Sequence, residues 1–287
     1  MIVINEAKCT GCGSCVEICH EHCMALVEGT IRINYEFCST CTQCIAICPG
    51  QALSWDHVPA VAFDEARLPS PEQLDELFKE RRSIRFYTTA KIDRPLLEEI
   101  ISYGIYAPTH NFELRAIVVD DEKIIEEFDR ILLQFVSRIY TALYRLKIVC
   151  SLARMFRLSG EHLRAKPKME AALQRGYAFR HPAAMVFIVG DRRIPLSEAS
   201  AQYALCNMIF YAQAKGIGSC LWGNGPIFLD RDNAARKRLA LQKHERILGT
   251  LLLGYPAVKF ANKMEGKTLS IQWNGGQNGP ADIQFKT

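Results

Sequence analysis

Two runs of cysteine near the start of the chain are the residues best suited to chemistry. The first is Cys9, Cys12, Cys15 and Cys19; the second is Cys38, Cys41, Cys44 and Cys48, closed by Pro49. Both read C-x2-C-x2-C-x3-C, the spacing of bacterial domains that hold two [4Fe–4S] clusters, where the fourth cysteine of one run ligates the cluster of the other. The expected ligand sets are Cys9, Cys12, Cys15 and Cys48 for one cluster, and Cys38, Cys41, Cys44 and Cys19 for the second. A single zinc ion is the rival reading of any C-x2-C pair, but zinc ribbons carry no third cysteine at the same interval. Two such clusters side by side would carry single electrons. The first run departs from the pattern: no proline follows Cys19, and His20-Glu21-His22-Cys23 stands there instead. Cys23 could be a spare ligand, and is read here as a packed bystander; His20 and His22 are expected on the surface.

The element that positions these thiols is small. Residues 1–58 are too few to fold well on an apolar core alone, and domains of that size often rely on metals. Ile2, Ile18, Ile31, Ile47 and Leu53 are among the apolar residues expected to wrap the clusters. Nine of the twelve cysteines fall within the first 48 residues, which sets this module apart from the rest. A length of 287 residues predicts about two domains. With 49% hydrophobic and 23% charged residues, the composition is that of an ordinary globular protein. A net charge of +4 is too mild for a nucleic-acid partner. The opening Met1-Ile-Val-Ile-Asn-Glu6 has neither a basic region nor a long apolar one, so no secretory leader is expected. The longest apolar run, Ala183–Val189, falls far short of the roughly 20 residues of a membrane span. The expected location is the cytoplasm.

After the module, residues 59–70 read as a linker with proline near both ends, and residues 71–287 as a second domain. Ser70 as N-cap and Pro71 as first helical residue open a helix whose apolar face is Leu74, Leu77 and Phe78. In the extended stretch that follows, Arg81, Ser83 and Arg85 share a face. Two guanidiniums and a hydroxyl on one side fit a phosphate plus an electron-rich ring. Asp93 and Pro95 start another helix, which ends at Ala107-Pro108-Thr109-His110-Asn111 before a strand around Ala116–Val119. Ala183–Val189 predicts a buried strand, Ser200–Lys215 an apolar helix, and Arg246–Leu253 a further strand. Cys150, Cys206 and Cys220 are expected to be buried small hydrophobes.

The order of Arg81-Arg82-Ser83-Ile84-Arg85, a helix, Ala-Pro-Thr-His-Asn and a strand resembles the FMN-dependent nitroreductase family. Gly216-Ile-Gly-Ser-Cys220-Leu-Trp-Gly223-Asn224 and Leu251-Leu-Leu-Gly-Tyr-Pro256 add to the likeness, most of all to members with an N-terminal two-cluster ferredoxin domain. The resemblance implies an α+β fold: a nitroreductase-like sandwich with a central, mainly antiparallel sheet and flanking helices, after a small ferredoxin-like module. It implies two [4Fe–4S] clusters, FMN, and a homodimer with the flavin at the subunit interface. Arg81 and Ser83 would bind the FMN phosphate, Arg82 would assist, and Arg85 would face the ring's carbonyl edge, where charge collects on reduction. Thr109, His110 and Asn111 would reach the flavin from the opposite subunit, although that loop is one residue shorter than the common form. Leu221, Trp222, Gly223 and Asn224 would lie along the N5 edge, and Lys263 and Lys267 stand where the family has basic residues for the phosphate.

No protein acid or base is expected; the cofactor performs the reaction. The implied activity carries electrons from a ferredoxin-type or NAD(P)H donor through the clusters to FMN, and on to a nitro-aromatic, quinone or similar organic acceptor. The alternatives are another reduction on the same scaffold (enone, dehalogenation, flavin fragmentation) or a non-enzymatic redox sensor or electron carrier. Residues about 128–178 match the family poorly. Between Arg138 and Arg180 the chain has ten Lys and Arg against two Glu. The favoured reading is a helical arm packed on the body or on a second subunit, ahead of a flavin lid, a docking patch for an acidic donor, or a membrane-surface helix.

Overall fold

The computed structural model describes residues 1–108, 113–142, 161–176, 179–263, 265–266 and 269–271 (backbone alone for 161–165). In the N-terminal module β1 (Ile2–Ile4) pairs antiparallel with β4 (Leu53–Trp55), which continues to β5 (Val58–Pro59). Between them β2 (Met24–Val27) and β3 (Thr30–Ile33) form a hairpin. Two one-turn helices, α1 (Ser14–Glu17) and α2 (Gln43–Ile47), start inside the cysteine runs. Each is preceded by a left-handed residue, Gly13 at φ 81° and Thr42 at φ 62°. Only the glycine takes that conformation without strain. Ile2, Ile31 and Leu53 are buried among Cys15, Cys23 and Cys44. Ile18 and Ile47 do not join them as expected: both are exposed, because cysteines occupy the inward side of each short helix.

Residues 61–69 lie exposed, and within them Asp64 caps a 3₁₀ turn, Glu65–Arg67, by accepting from the Ala66 amide at 3.2 Å. Next comes α3 (Pro71–Glu80). Its capping box is complete: the Gln73 amide donates to Ser70 Oγ at 3.3 Å, and the Ser70 amide donates to Gln73 Oε1 at 2.9 Å. Its apolar face is only half-covered, with Phe78 edge-on to Phe210 at 4.7 Å between ring centres.

The body is built on four antiparallel strands: β6 (Leu114–Val119), β7 (Ala184–Asp191), β8 (Gly218–Leu221) and β9 (Glu245–Gly254), in the spatial order β6-β7-β9-β8. The inner strands β7 and β9 are buried along nearly their whole length because both faces are covered. On one face Met185, Phe187 and Val189 pack with Phe128 and Leu132 of α5 (Glu122–Tyr140). On the other, Ala184, Val186 and Ile188 pack with Leu97 and Ile100 of α4 (Arg94–Ser102) and with Leu205 and Met208 of a long helix, Ser197–Ala214. Alternate strand residues therefore serve two cores, giving the expected sandwich. Among the described residues the remaining α-helices are α6 (Glu161–Arg175), α7 (the Ser197–Ala214 helix), α8 (Asn224–Phe228) and α9 (Asn233–Arg238).

One expectation changes. Cys206 on α7 is exposed rather than buried, while Cys220 is buried as expected; Cys150 lies outside the described residues. Gly218–Leu221, quoted only as part of a family motif, is an edge strand on β9, with Cys220 opposite Leu252. Among the described residues, no helix is long and apolar enough to cross a membrane.

Candidate cofactor sites

The fold sorts the eight expected ligands into two groups that cross the runs. A cavity of about 210 Å³ is lined by Cys38, Cys41 and Cys44 of the second run together with Cys19 of the first. Cys48, Cys12 and Cys9 all raise the Cys15 thiol by charge repulsion, so the last cysteine of the second run lies within electrostatic reach of the first run. The crossing arises because α1 and α2 pack against each other, each carrying its run past the other. Burial raises the Cys15 thiol and pushes Cys44 up to about 12, so a thiolate at either needs adjacent positive charge, which iron provides. Thiolates on one zinc stand within ~4 Å of each other. Among the described residues no three His, Cys, Asp or Glu converge in that way; these thiols ring a cavity instead. The donor set fits iron–sulfur cubes better than a single ion. His20 and His22 are exposed as expected; Cys23 is 7% exposed and packed in the module's core, as read from the sequence, and it also lines the cavity.

The second candidate site lies where residues 81–87 cross the edge of the sheet. The Ile84 amide donates to Ser219 O of β8 at 2.9 Å. The Tyr87 amide donates to Arg180 O, and the Arg180 amide donates to Arg85 O, both at 3.2 Å. On the other side the Thr88 amide donates to Tyr255 O at 2.9 Å, and the Ala257 amide donates to Phe86 O at 3.0 Å. Tyr87 anchors the segment from below: it is buried and its hydroxyl donates to Ile84 O at 2.5 Å. Burial raises its pKa, which keeps the phenol neutral.

This clamp leaves Ile84 and Tyr87 in the core and directs Arg81, Ser83 and Arg85 together. Burial raises the Cys220 thiol, while the Arg85 guanidinium, Ser83 and Arg81, all beside it, act the other way. Sequence reasoning placed Cys220 only as core; the pairing of its neighbour Ser219 with Ser83 is what brings it near the two arginines. Among the described residues neither Arg81 nor Arg85 forms an ion pair, so their charges are free for an anion. Leu221, Trp222, Gly223 and Asn224 follow at once from β8. Leu221, Gly223 and Asn224 are exposed, whereas Trp222 is buried edge-on to Phe179 at 5.2 Å. The turn is fixed from beneath: the Trp222 amide donates to Thr250 O at 2.8 Å, and Gly225 rests directly on the Thr250 side chain.

Other expected contacts lie elsewhere. The Arg82 guanidinium turns back to the end of α3, donating to Lys79 O at 2.5 Å and Arg81 O at 2.8 Å. Lys263 pairs with Glu76 on α3, next to the Lys79–Glu265 pair at 3.1 Å. Thr109, His110, Asn111 and Lys267 fall outside the described residues. A separate cleft of about 790 Å³ runs between residues 88–91, the start of α5 and residues 179–183, and none of the expected flavin residues lines it.

Residues 78–255 match the nitroreductase family, and residues 1–49 match the 4Fe-4S dicluster domain. Among solved structures, a nitroreductase with bound FMN from Desulfitobacterium hafniense is 17% identical, with a TM-score of 0.52 over 69% of this chain and 97% of that one. Iodotyrosine deiodinase bound to FMN and 3-iodo-L-tyrosine is 19% identical, with a TM-score of 0.50 over 71% of this chain and 100% of that one. No curated protein matches the chain. With the sandwich, the clamp of residues 81–87 and the gathered thiols, these matches place the chain in the nitroreductase family, preceded by a 4Fe-4S dicluster domain.

Proposed function

We propose that this oxidoreductase is an iron–sulfur flavoprotein. It takes electrons from a ferredoxin-type or NAD(P)H donor at two [4Fe–4S] clusters, passes them to FMN, and reduces a nitro-aromatic, quinone or similar organic acceptor. The observation that carries this reading is one chain that gathers cysteines of both runs around one cavity and, separately, sets Arg81 and Arg85 around Ser83 with no ion pair among the described residues. Bound FMN would supply the chemistry, accepting electrons and delivering them as hydride or singly to the acceptor.

The chain's own residues would bind and tune. Arg81 and Ser83 would hold the phosphate, with the backbone clamp fixing both. Arg85 would stabilise negative charge on the reduced ring, as a preorganised cation does at an oxyanion. Leu221, Gly223 and Asn224, exposed on a turn braced by Thr250, would line the ring's edge and leave the acceptor room. Cys220 would remain a neutral thiol under the arginines, filling space without cancelling their charge. The subunits would pair through the solvent-facing side of α7 and the turn before Pro108, where Tyr106 and Tyr203 are exposed. The test is anaerobic: protein purified with its iron and flavin is mixed with reduced ferredoxin, NADH or NADPH, and flavin bleaching is followed before and after a nitro-aromatic is added. The expected result is rapid bleaching by ferredoxin and reoxidation by the acceptor. Purified protein without flavin, or reduced flavin that no acceptor reoxidises, overturns the proposal.

A further inference from the structure

The two cysteine runs repeat at an offset of 29 residues, which pairs Cys15 with Cys44, Cys19 with Cys48 and Ile18 with Ile47. The structure keeps the repeat: β2 and β4 each begin five residues after the last cysteine of a run, at Met24 and Leu53. The residue just before each strand, Cys23 or Ala52, is buried, 7% and 3% exposed. At the Ala52 end the backbone amide donates to Cys48 Sγ at 3.3 Å. At the Cys23 end a side chain makes the contact, with Cys23 Sγ at 3.4 Å from Cys19 Sγ. Cys38, from the other run, is its next sulfur neighbour. The same position in the repeat thus holds an inert methyl on one side and a thiol turned into the cluster cavity on the other.

We propose that Cys23 is a positioning residue for the second cluster: its S–H donates to the sulfur of Cys19 and raises that cluster's reduction potential. The proposal rests on the reading of Cys19 as a cluster ligand. An iron-bound cysteine is a thiolate and has no proton to give, so in the Cys19–Cys23 pair the donor is Cys23. Hydrogen bonds to ligand sulfurs are among the factors that set cluster potentials, and a donor favours the more negative, reduced state. The first run has a side-chain donor of its own, Ser14 Oγ at 3.5 Å from Cys12 Sγ, but Cys12 is exposed and water competes there. Cys23 acts out of water, where such a bond is stronger. The two clusters then differ, and a single electron delivered to the module is drawn toward the second. One cube is oxidised as the other is reduced, and no bond is made or broken.

The variant to make is Cys23→Ala, because alanine already occupies the equivalent buried position at Ala52 and the module should fold. Cys23→Ser restores a donor of similar shape. Iron is counted in each full-length protein prepared anaerobically, and both cluster midpoints are measured by EPR-monitored redox titration. Cys23→Ala is expected to keep all its iron and to lower one midpoint only. That shifts the partition of one electron between the clusters several-fold, a tenfold shift being about 59 mV. Cys23→Ser should recover most of the change. Unchanged midpoints in Cys23→Ala overturn the proposal. So does the loss of half the iron, which would make Cys23 a ligand, or a Cys23→Ser midpoint equal to that of Cys23→Ala, which would make its role packing. Wild-type protein without iron would instead overturn the underlying cluster reading, and is seen before any variant is made.

Discussion

Gly225 is the position where one methyl group should most directly disturb the loop proposed to line the flavin. A Cβ built there would stand 2.3 Å from Thr250 Oγ1, 2.9 Å from Thr250 Cβ and 3.2 Å from Trp222 Cε3. Thr250 is 2% exposed in the middle of β9, paired with Phe187 of β7, and its Cβ cannot retreat without moving the strand. Rotating the side chain gives no relief, since it exchanges the hydroxyl for a methyl of about the same size. The loop must therefore rise, and Trp222 and Asn224 rise with it. Overpacking of this kind costs about 1–3 kcal/mol, or roughly 2–12 °C in Tm for a domain of this size. Thermal unfolding of Gly225→Ala, with flavin content measured in parallel, should show both a lower Tm and weaker FMN retention. The control is the same change in a Thr250→Ala background, where the 2.3 Å contact is gone. Its cost there should shrink by about 1 kcal/mol, the coupling expected of touching residues. Equal costs in the two backgrounds would refute the steric account, and normal FMN retention with a lowered Tm would remove the loop from the flavin site.

Thr250 carries a prediction of its own. Its Oγ1 is buried without a hydrogen-bond partner among the described residues, so Thr250→Val should be neutral or stabilising by up to about 1 kcal/mol in a denaturant melt; marked destabilisation would reveal a partner. Arg115 holds Glu245 by two bonds, Nε to Oε1 at 3.0 Å and Nη2 to Oε2 at 2.7 Å, which lowers the Glu245 pKa. A depressed carboxylate stabilises the fold above its ordinary pKa of about 4.3 and loses that contribution as pH falls through the folded value. Glu245→Gln should then cost about 1 kcal/mol at pH 7, a figure kept small because the Arg115 side chain is 46% exposed, and should cost far less near pH 3; a pH-independent difference would contradict the linkage. Arg85→Leu should lower the midpoint potential of bound flavin, whereas an unchanged potential would strip Arg85 of its tuning role. Cys48→Ser should damage the cluster built by Cys9, Cys12 and Cys15, and EPR showing only the Cys38 cluster lost would disprove the crossed ligation.

The repeated cysteine spacing made the N-terminal module legible because iron ligation constrains residue type and interval together. Capping chemistry did the same for α3, where Ser70, Pro71 and Gln73 define the start from local sequence alone. Apolar runs located β7 and β9, which are buried on both faces and so carry a continuous hydrophobic signal. The alternation of Arg81, Ser83 and Arg85 was readable for the same local reason: an extended backbone sends every second side chain the same way.

Long-range pairing decided the rest. Gly218–Leu221 is too short and too rich in small residues to announce a strand, and becomes one only because β9 offers a free edge. That register sets Ser219 against Ser83 and slides Cys220 beneath the arginines, a neighbour no local pattern encodes. Arg82 and Lys263 have the right chemistry for a phosphate, yet α3 holds both through its carbonyls and Glu76. Cys23 sits four residues past Cys19, and whether its thiol faces solvent, core or cluster depended on the entry into β2. The sequence by itself determined the dicluster domain and the family, since ligand type and spacing are local. Only the tertiary structure decided which side chains stand at the candidate sites, because the backbone pairs that aim those side chains, such as Ile84 with Ser219 and Thr88 with Tyr255, join residues distant in the chain.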